Sequence, residues 1–293
     1  MNLSSKGNEK MILLTGANGQ LGNELQNLFK EKNIEYTPTD VAEMDITNPE
    51  SVKAMFDKVK PDIVFHIAAY TAVDKQEDEG KEIGYKINVD GTKNIAEAAE
   101  AIGATLVYIS TDYVFDGTLT DGEYMEDDAM NPLSEYGRTK GLGEELVREI
   151  SSKYFIIRTS WVYGNYGHNF VFTMQRLAQT NPRLTVVNDQ YGRPTWTRTL
   201  AEFMVYVIEN KVEFGTYHLS NDNAGTWFDF ATEILKDTDV EVAPVTSEEF
   251  PQKAKRPQHS VMNLDKAKAT GFVIPTWQEA LAMMLENEAK KNN

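Results

Sequence analysis

The stretch that most constrains this chain is Gly16-Ala17-Asn18-Gly19-Gln20-Leu21-Gly22. It follows the short apolar run Met11 to Thr15, and from Leu21 onward Leu25 and Leu28 recur at helical spacing. Glycines at such a junction allow a tight strand-to-helix turn and bring free N–H groups up to an anion such as a pyrophosphate. The spacing is G-x-x-G-x-x-G, not G-x-G-x-x-G, and taken alone it is weak. Its context strengthens it: a strand before, a helix after, and Asp40 standing 18 positions beyond Gly22 at the end of a second strand-like run. The competing reading is a glycine-rich loop that binds nothing.

Asp40 is placed to accept hydrogen bonds from an adenosine ribose, and its charge opposes a 2′-phosphate, which favours NADH. The alternative is that it only caps a turn. Asp45, in Met44-Asp45-Ile46-Thr47, is a second candidate near the adenine, or else the cap of a helix beginning at Pro49.

Further along, strand-like and helix-like segments alternate. Ile34 to Thr39, Asp62 to Ala68, Thr105 to Ser110 and Phe155 to Thr159 read as strands; Pro49 to Val59, Gly84 to Ala101 and Ser134 to Ile150 read as helices. Such alternation predicts an α/β fold, a Rossmann-type doubly wound parallel sheet covered on both faces. After residue 163 the alternation weakens. Helical segments Phe170 to Ala178, Leu200 to Ile208 and Trp227 to Leu235 are separated by proline-bearing loops, which predicts a smaller C-terminal substrate-binding lobe. The expected organisation is a flexible leader over 1–10, a dinucleotide-binding unit over 11–163 and a lobe mainly of 164–293, with Thr216 to Ser220 a candidate to return to the main sheet.

Composition removes several classes of function. The 293 residues carry 29 Lys+Arg against 45 Asp+Glu, a net charge of −16, which argues against nucleic acid as a partner. With no cysteine there is no disulfide, thiolate zinc site, iron–sulfur cluster or cysteine nucleophile. The polar first residues lack the apolar core of a signal peptide, and apolar runs such as Phe203 to Ile208 fall far short of the roughly 20 residues of a membrane span. The expectation is a soluble cytoplasmic protein with no membrane partner.

Tyr136-Gly137-Arg138-Thr139-Lys140 puts a phenol and an ammonium on one helix face. A phenol with a free pKa of roughly 10 is a poor acid–base group at neutral pH, and a nearby ammonium is expected to bring it closer to the working range. Y-x-x-x-K is common by chance. Ile109-Ser110-Thr111-Asp112 supplies the company it needs: Thr111 falls at the C-terminal end of a strand, the edge where parallel sheets bind ligands.

These residues carry a resemblance. The chain resembles the extended short-chain dehydrogenase/reductases and, within them, the dTDP-4-dehydrorhamnose reductase family. The matching segments run from 15–22 through Ala68-Ala69-Tyr70-Thr71-Ala72-Val73-Asp74-Lys75, Ser110-Thr111-Asp112-Tyr113-Val114-Phe115-Asp116-Gly117, 136–140 and Arg158-Thr159-Ser160-Trp161-Val162-Tyr163 to Lys255-Arg256-Pro257. The resemblance implies reduction of the C4 keto group of dTDP-4-dehydro-L-rhamnose, with Tyr136 protonating the forming alkoxide, Lys140 tuning Tyr136 and binding the nicotinamide ribose, and Thr111 aligning the carbonyl. It further implies Gly16, Gly19, Gln20 and Leu21 at the pyrophosphate, Asp40, Asp45 and Ile46 at the adenosine end, and Ala69, Tyr70 and Thr71 on the nicotinamide side. Asp112, Tyr113 and Trp161 would contact the sugar. The family accepts NADPH as well as NADH.

Arg256 is favoured for the substrate phosphates, while Lys253 and Lys255 read equally well as solvated charge. Trp161 lays an apolar face on the sugar or else sits in the core. His66, His168, His218 and His259 read as structural, and no metal site is expected. Some family members dimerise through magnesium held partly by a carboxylate; the aligned position here is Arg198, which predicts a metal-independent monomer. Four other readings compete. A 4,6-dehydratase would need a Glu where Tyr113 stands, and a GDP-fucose-type epimerase-reductase needs a Cys. A 4-epimerase is harder to separate. A regulatory subunit like that of methionine adenosyltransferase would not keep Thr111, Asp112, Tyr136 and Lys140 together.

Overall fold

A computed structural model describes Leu3 and residues 10–291. Its centre is a parallel sheet of β1 (Ile12–Thr15), β2 (Thr37–Thr39), β3 (Ile63–His66), β4 (Thr105–Thr111) and β5 (Tyr154–Thr159). A sixth strand, Gly215–His218, pairs in parallel with β5, so that the order across the sheet is Gly215–His218, β5, β4, β3, β1, β2. Every residue of β1 and β3 is buried, as expected of strands covered on both faces. Thr15 is level with His66, and Thr111 with Thr159, so the C-terminal ends of β1, β3, β4 and β5 converge on one edge.

Helices α1 (Gln20–Glu31), α2 (Pro49–Val59), α3 (Lys81–Tyr85), α4 (Thr92–Ala101) and α5 (Glu135–Ile150) flank the sheet. On one face Leu25, Leu28 and Phe29 of α1 pack with Leu200, Phe203 and Val207 of the helix Thr197–Glu209. On the other, Val52 and Phe56 of α2 meet Ile95 and Ala99 of α4 and Val147 of α5. The fold is the doubly wound α/β class. A third cluster, with Tyr163, Met174, Trp196, Phe230, Trp277 and Met284, holds the remaining C-terminal segments around the two-stranded pairing of Arg183–Val187 with Glu241–Val245.

Three details depart from the sequence reading. The helix expected over Gly84 to Ala101 begins at Lys81 and contains a π-helical stretch, Lys86–Gly91. That widened turn carries buried Asn88, whose side chain accepts from Tyr70 N at 2.8 Å and donates to Thr139 Oγ1 at 3.0 Å. The second strand is shorter than Ile34 to Thr39, because only Thr37–Thr39 pairs; Pro38 offers no N–H and sits on the sheet edge. Most of the leader expected over 1–10 lies outside the described residues, but Leu3 is 3% exposed and packs in the α1-side core, which excludes that residue from a freely moving extension. Among the described residues no helix is long and apolar enough to cross a membrane.

Candidate active site

A cleft of about 1260 Å³ opens at the C-terminal edge of the sheet, between the glycine turn and the C-terminal segments. Gly16 has a φ of +69°, in the region that favours glycine, and a Cβ there would lie 2.8 Å from Ala68 N and Cα. A Cβ at Gly22 would stand 2.3 Å from the Gly16 carbonyl oxygen, so α1 approaches the turn as closely as it does only without a side chain. Gly19 precedes α1 and no side chain caps the helix start. The result is a helix start with no side-chain cap, whose first N–H groups and positive dipole end suit a phosphate. Gln20 donates from Nε2 to the His168 carbonyl at 3.1 Å, and its Oε1 is buried without a partner, an acceptor left for a bound group. These features fit a dinucleotide.

Gly19, Leu21, Asp40, Asp45, Ile46, Ala69 and Thr71 all line the cleft with Gly16 and Gln20. Asp40 accepts from Asn18 N at 3.0 Å and Val41 N at 2.9 Å, so the backbone of the turn holds the carboxylate in place. Asp45 does not cap α2. That role belongs to Asn48, which accepts from Glu50 N and Ser51 N, while Asp45 closes its own loop by accepting from Thr47 N and Oγ1 at 2.9 and 2.7 Å. Tyr70 departs from expectation: it is not part of the cleft lining. Asn88 clamps its backbone, and its phenol lies against Gly80, where a Cβ would come within 2.9 Å of the hydroxyl.

Across the cleft, Ser134 caps α5 by accepting from Gly137 N at 3.2 Å, setting Tyr136 and Lys140 on the cleft-facing turns. Gly137 lets the helix touch the Tyr113 carbonyl, which a Cβ would approach to 2.1 Å. Tyr136 is half-buried in the cleft lining, and desolvation pushes its phenol pKa up, with the Thr111 hydroxyl acting in the opposite direction. The expected lowering by Lys140 is not found. Lys140, 2% exposed, donates from Nζ to the Ile109 carbonyl at 2.7 Å and lies 4.1 Å from the Tyr108 ring centre. Burial lowers its own pKa to about 7, with the Glu144 carboxylate opposing. A phenol pushed upward stays protonated at neutral pH, the form a proton donor needs.

Thr111, Asp112, Tyr113, Trp161 and Arg256 also line the cleft. The Tyr113 and Tyr136 rings meet edge-on at 5.6 Å. Arg256 donates from NH1 to the Tyr113 hydroxyl at 3.1 Å and from NH2 to Asp74 Oδ2 at 2.7 Å, so its guanidinium is held at the cleft wall before any ligand arrives. Trp161 stacks on Trp227 at 3.8 Å and adopts a φ of +47°, an uncommon backbone state for a tryptophan that costs on the order of 1 kcal/mol. Asp112 is 1% exposed; it accepts from Ser260 Oγ at 2.5 Å and Thr111 Oγ1 at 3.1 Å, and burial raises its carboxyl to about 7.

Sequence reasoning did not single out Asp74, Trp227 or Ser260. Asp74 stood in a segment carrying the resemblance, a signal that was present; Ser260 is 148 residues from Asp112 and gave none. The other candidates sit elsewhere. Lys253 pairs with Asp78 on the surface, while His66 and His218 are buried and desolvated to pKa values of about 3. His66 bonds Thr15 and Thr92, and His259 bonds the Gly122 carbonyl; His168 alone of the four histidines lines the cleft. Arg198 is clasped by Glu24, Glu31 and Glu202, and among the described residues no group of three His, Asp or Glu could hold a metal.

Comparison with known proteins decides the family. The RmlD substrate binding domain family matches residues 10–290. The chain belongs to this family. Among curated RmlD-like relatives, the spore coat polysaccharide biosynthesis protein SpsK of Bacillus subtilis is 42% identical, over 95% of this chain and 98% of its own. The dTDP-4-dehydrorhamnose reductase of Escherichia coli K12 is 38% identical, over 94% and 96%. Among solved structures, a dTDP-4-dehydrorhamnose reductase from Clostridium acetobutylicum superimposes with a TM-score of 0.91 at 46% identity, covering 94% of this chain and 98% of that one. The Bacillus anthracis dTDP-4-dehydrorhamnose reductase, solved in complex with NADP, superimposes at 0.90 with 40% identity, covering 95% and 99%. Thermus thermophilus UDP-glucose 4-epimerase, 19% identical with a TM-score of 0.80, shares the RmlD fold alone.

Proposed function

We propose that this chain is an NAD(P)H-dependent oxidoreductase that reduces the C4 keto group of dTDP-4-dehydro-L-rhamnose to give dTDP-L-rhamnose, a precursor for surface polysaccharide. The observation that carries the reading is the Tyr136 phenol, lining with Thr111 and Lys140 the one cleft that also holds the glycine turn. The reduced nicotinamide dinucleotide, when bound, supplies the hydride. The chain's own residues do the rest. Thr111 and Tyr136 orient the ketone oxygen, and Tyr136 gives it a proton. Lys140, anchored to the Ile109 carbonyl, turns its remaining N–H groups toward a ribose hydroxyl. Asp112, Tyr113 and Trp161 bound the sugar, and Arg256 meets the diphosphate.

In this reading Gly16, Gly19, Gln20 and Leu21 hold the pyrophosphate, Asp40, Asp45 and Ile46 border the adenosine, and Ala69 and Thr71 border the nicotinamide. Residues 11–163 mainly carry the dinucleotide, and 164–293 mainly the sugar side. Asp40 and Asp45 stand near the adenosine with no Lys or Arg beside them in the glycine-turn half of the lining, which supports NADH over NADPH while either is accepted. The protein works in the cytoplasm, as a monomer without a bridging metal; Arg198 supports the absence of the metal, because a guanidinium paired with Glu24, Glu31 and Glu202 stands where a ligating carboxylate would. Sedimentation with and without EDTA tests that point, and an EDTA-sensitive dimer overturns it.

The deciding experiment incubates the protein with NADH or NADPH and the 4-keto sugar while nicotinamide absorbance is followed. Cofactor oxidation in step with dTDP-rhamnose formation is expected; no oxidation with either cofactor sinks the proposal.

A further inference from the structure

We infer that the turn Asp74–Glu77 is the positioning element of the site, with Asp74 aiming Arg256 at the substrate and Glu77 aiming the helix that carries Tyr136. The inference rests on the reduction reading above, in which Arg256 meets the diphosphate and Tyr136 the ketone.

The turn continues directly from a wall of the cleft. Ala69, Thr71 and Val73 line the cleft, whereas Asp74, Gln76 and Glu77 stand outside its lining. Lys75–Glu77 form a single turn of 3₁₀ helix, and three side chains of the segment reach three other parts of the molecule. Asp74 accepts from the Arg256 guanidinium at 2.7 Å through Oδ2 and from Ala254 N at 3.0 Å through Oδ1. One carboxylate thus grips both the arginine and the backbone beside it. Glu77 Oε1 accepts from Glu135 N at 2.9 Å, at the first residue of α5 and next to Tyr136. Gln76, fully buried, donates to the Tyr70 carbonyl at 2.9 Å and accepts from Thr139 Oγ1 at 3.3 Å, which fastens the turn to α5 between Tyr136 and Lys140.

Each bond has a consequence for the site. A free arginine side chain must be ordered by the ligand it binds, at a cost in rotamer entropy. Asp74 orders Arg256 beforehand and leaves the remaining guanidinium N–H groups for an anion. The N–H of the first helical residue has no partner within its own helix, and a carboxylate there satisfies it while favouring the positive end of the dipole.

Ser134 already caps α5 from within the chain leading into it, by accepting from Gly137 N. Glu77 serves a different N–H and comes from an element 58 residues away, so its bond fixes where the first turn of α5 stands in the molecule. Asp74 does the same for Arg256 across 182 residues. Because both bonds start from one short turn, that turn sets the distance between the guanidinium and the proton donor.

The test separates kcat from KM at the two ends of the turn. Asp74→Asn keeps the side chain's size but loses the charge that holds the guanidinium; the KM for the nucleotide sugar, and the Kd for dTDP by calorimetry, should rise about tenfold with kcat unmoved. Added to Arg256→Gln, it should cost less than about twofold more, because Asp74 acts through Arg256. Glu77→Ala should lower kcat about tenfold, with the sugar KM and the NADH Kd near wild type. Glu77→Gln, whose amide oxygen can still accept from Glu135 N, should return kcat to within about twofold of the wild type. Should Glu77→Ala fail to fold, Glu77→Asp, one methylene short of Glu135 N, replaces it with the same expected fall. Additive effects of Asp74→Asn and Arg256→Gln, an Asp74→Asn that binds dTDP as tightly as the wild type or more so, or an unchanged kcat in Glu77→Ala overturns the inference. So does a Glu77→Gln no better than Glu77→Ala, or a kcat and KM that move together in every variant. Tyr136→Phe separates the two levels: if it turns over like the wild type, the reduction reading itself fails, while dTDP binding by Asp74→Asn still judges the turn.

Discussion

The glycine-turn wall of the cleft and the hydroxyl wall opposite differ in how they are assembled. The first comes largely from two short stretches, 15–22 and 39–47, and presents backbone N–H groups with two carboxylates, Asp40 and Asp45. The second gathers Thr111, Tyr136, Trp161 and Arg256 from four separate segments and works through side chains. A backbone cradle needs only a permissive φ and a helix start, both local properties. A constellation of side chains needs the whole sheet to bring its members together, and each member needs a partner to hold it. Gly22 is excluded from carrying a Cβ by its own neighbours, whereas Arg256 is aimed by Asp74, 182 residues away.

If the walls differ in this way, substitutions on them should fail differently. The largest effect should come from Tyr136→Phe, which removes the proton donor: turnover should fall by roughly 10² to 10⁴ while NADH affinity, measured by fluorescence titration, stays near wild type. Loss of both together would mean that the hydroxyl wall also carries the cofactor. Next, Arg256→Gln removes a charge-assisted contact, so the KM for the nucleotide sugar should rise about tenfold to a hundredfold with the KM for NADH unmoved. An unchanged sugar KM would remove Arg256 from the diphosphate.

Gly22→Ala addresses the other wall. Its methyl would meet backbone 2.3 Å away, so α1 must shift, at about 1 to 3 kcal/mol read from the unfolding midpoint, together with weaker dinucleotide binding. A midpoint within error of the wild type would show that the turn yields more easily than its packing indicates. The smallest effect belongs to Asp40→Ala, which should raise kcat/KM for NADPH relative to NADH by a factor of about ten or less. A ratio that does not move would place the ribose elsewhere.

Legibility in the sequence followed the same division. Helix α2 runs from Pro49 to Val59 as read, because proline at its first turn and Asn48 before it are local signals. Helix α5 starts at Glu135, after the Ser134 cap, for the same reason. The π-helical stretch at Lys86–Gly91 escaped notice because a single widened turn barely alters the spacing of apolar residues. Tyr70 was read as bordering the nicotinamide from its place in a motif; Asn88, on a different element, holds its backbone and leaves its phenol outside the cleft lining. Lys140 stands on the face of α5 that its spacing indicated, yet its partners, the Ile109 carbonyl and the Tyr108 ring, belong to β4 and left no mark in the Tyr136–Lys140 spacing.

By itself the sequence determined the alternation of strands and helices, the anion-binding turn and the types of group available for acid–base work, since each depends on residues within a few positions of one another. Only the tertiary structure decided that Tyr136 is desolvated, that Asp112 faces two hydroxyls, and that Arg256 is preset by Asp74. Those are matters of distance and dielectric between segments far apart in the chain, and a hydrogen bond spanning 148 residues, such as that from Ser260 to Asp112, exists only once the sheet has folded.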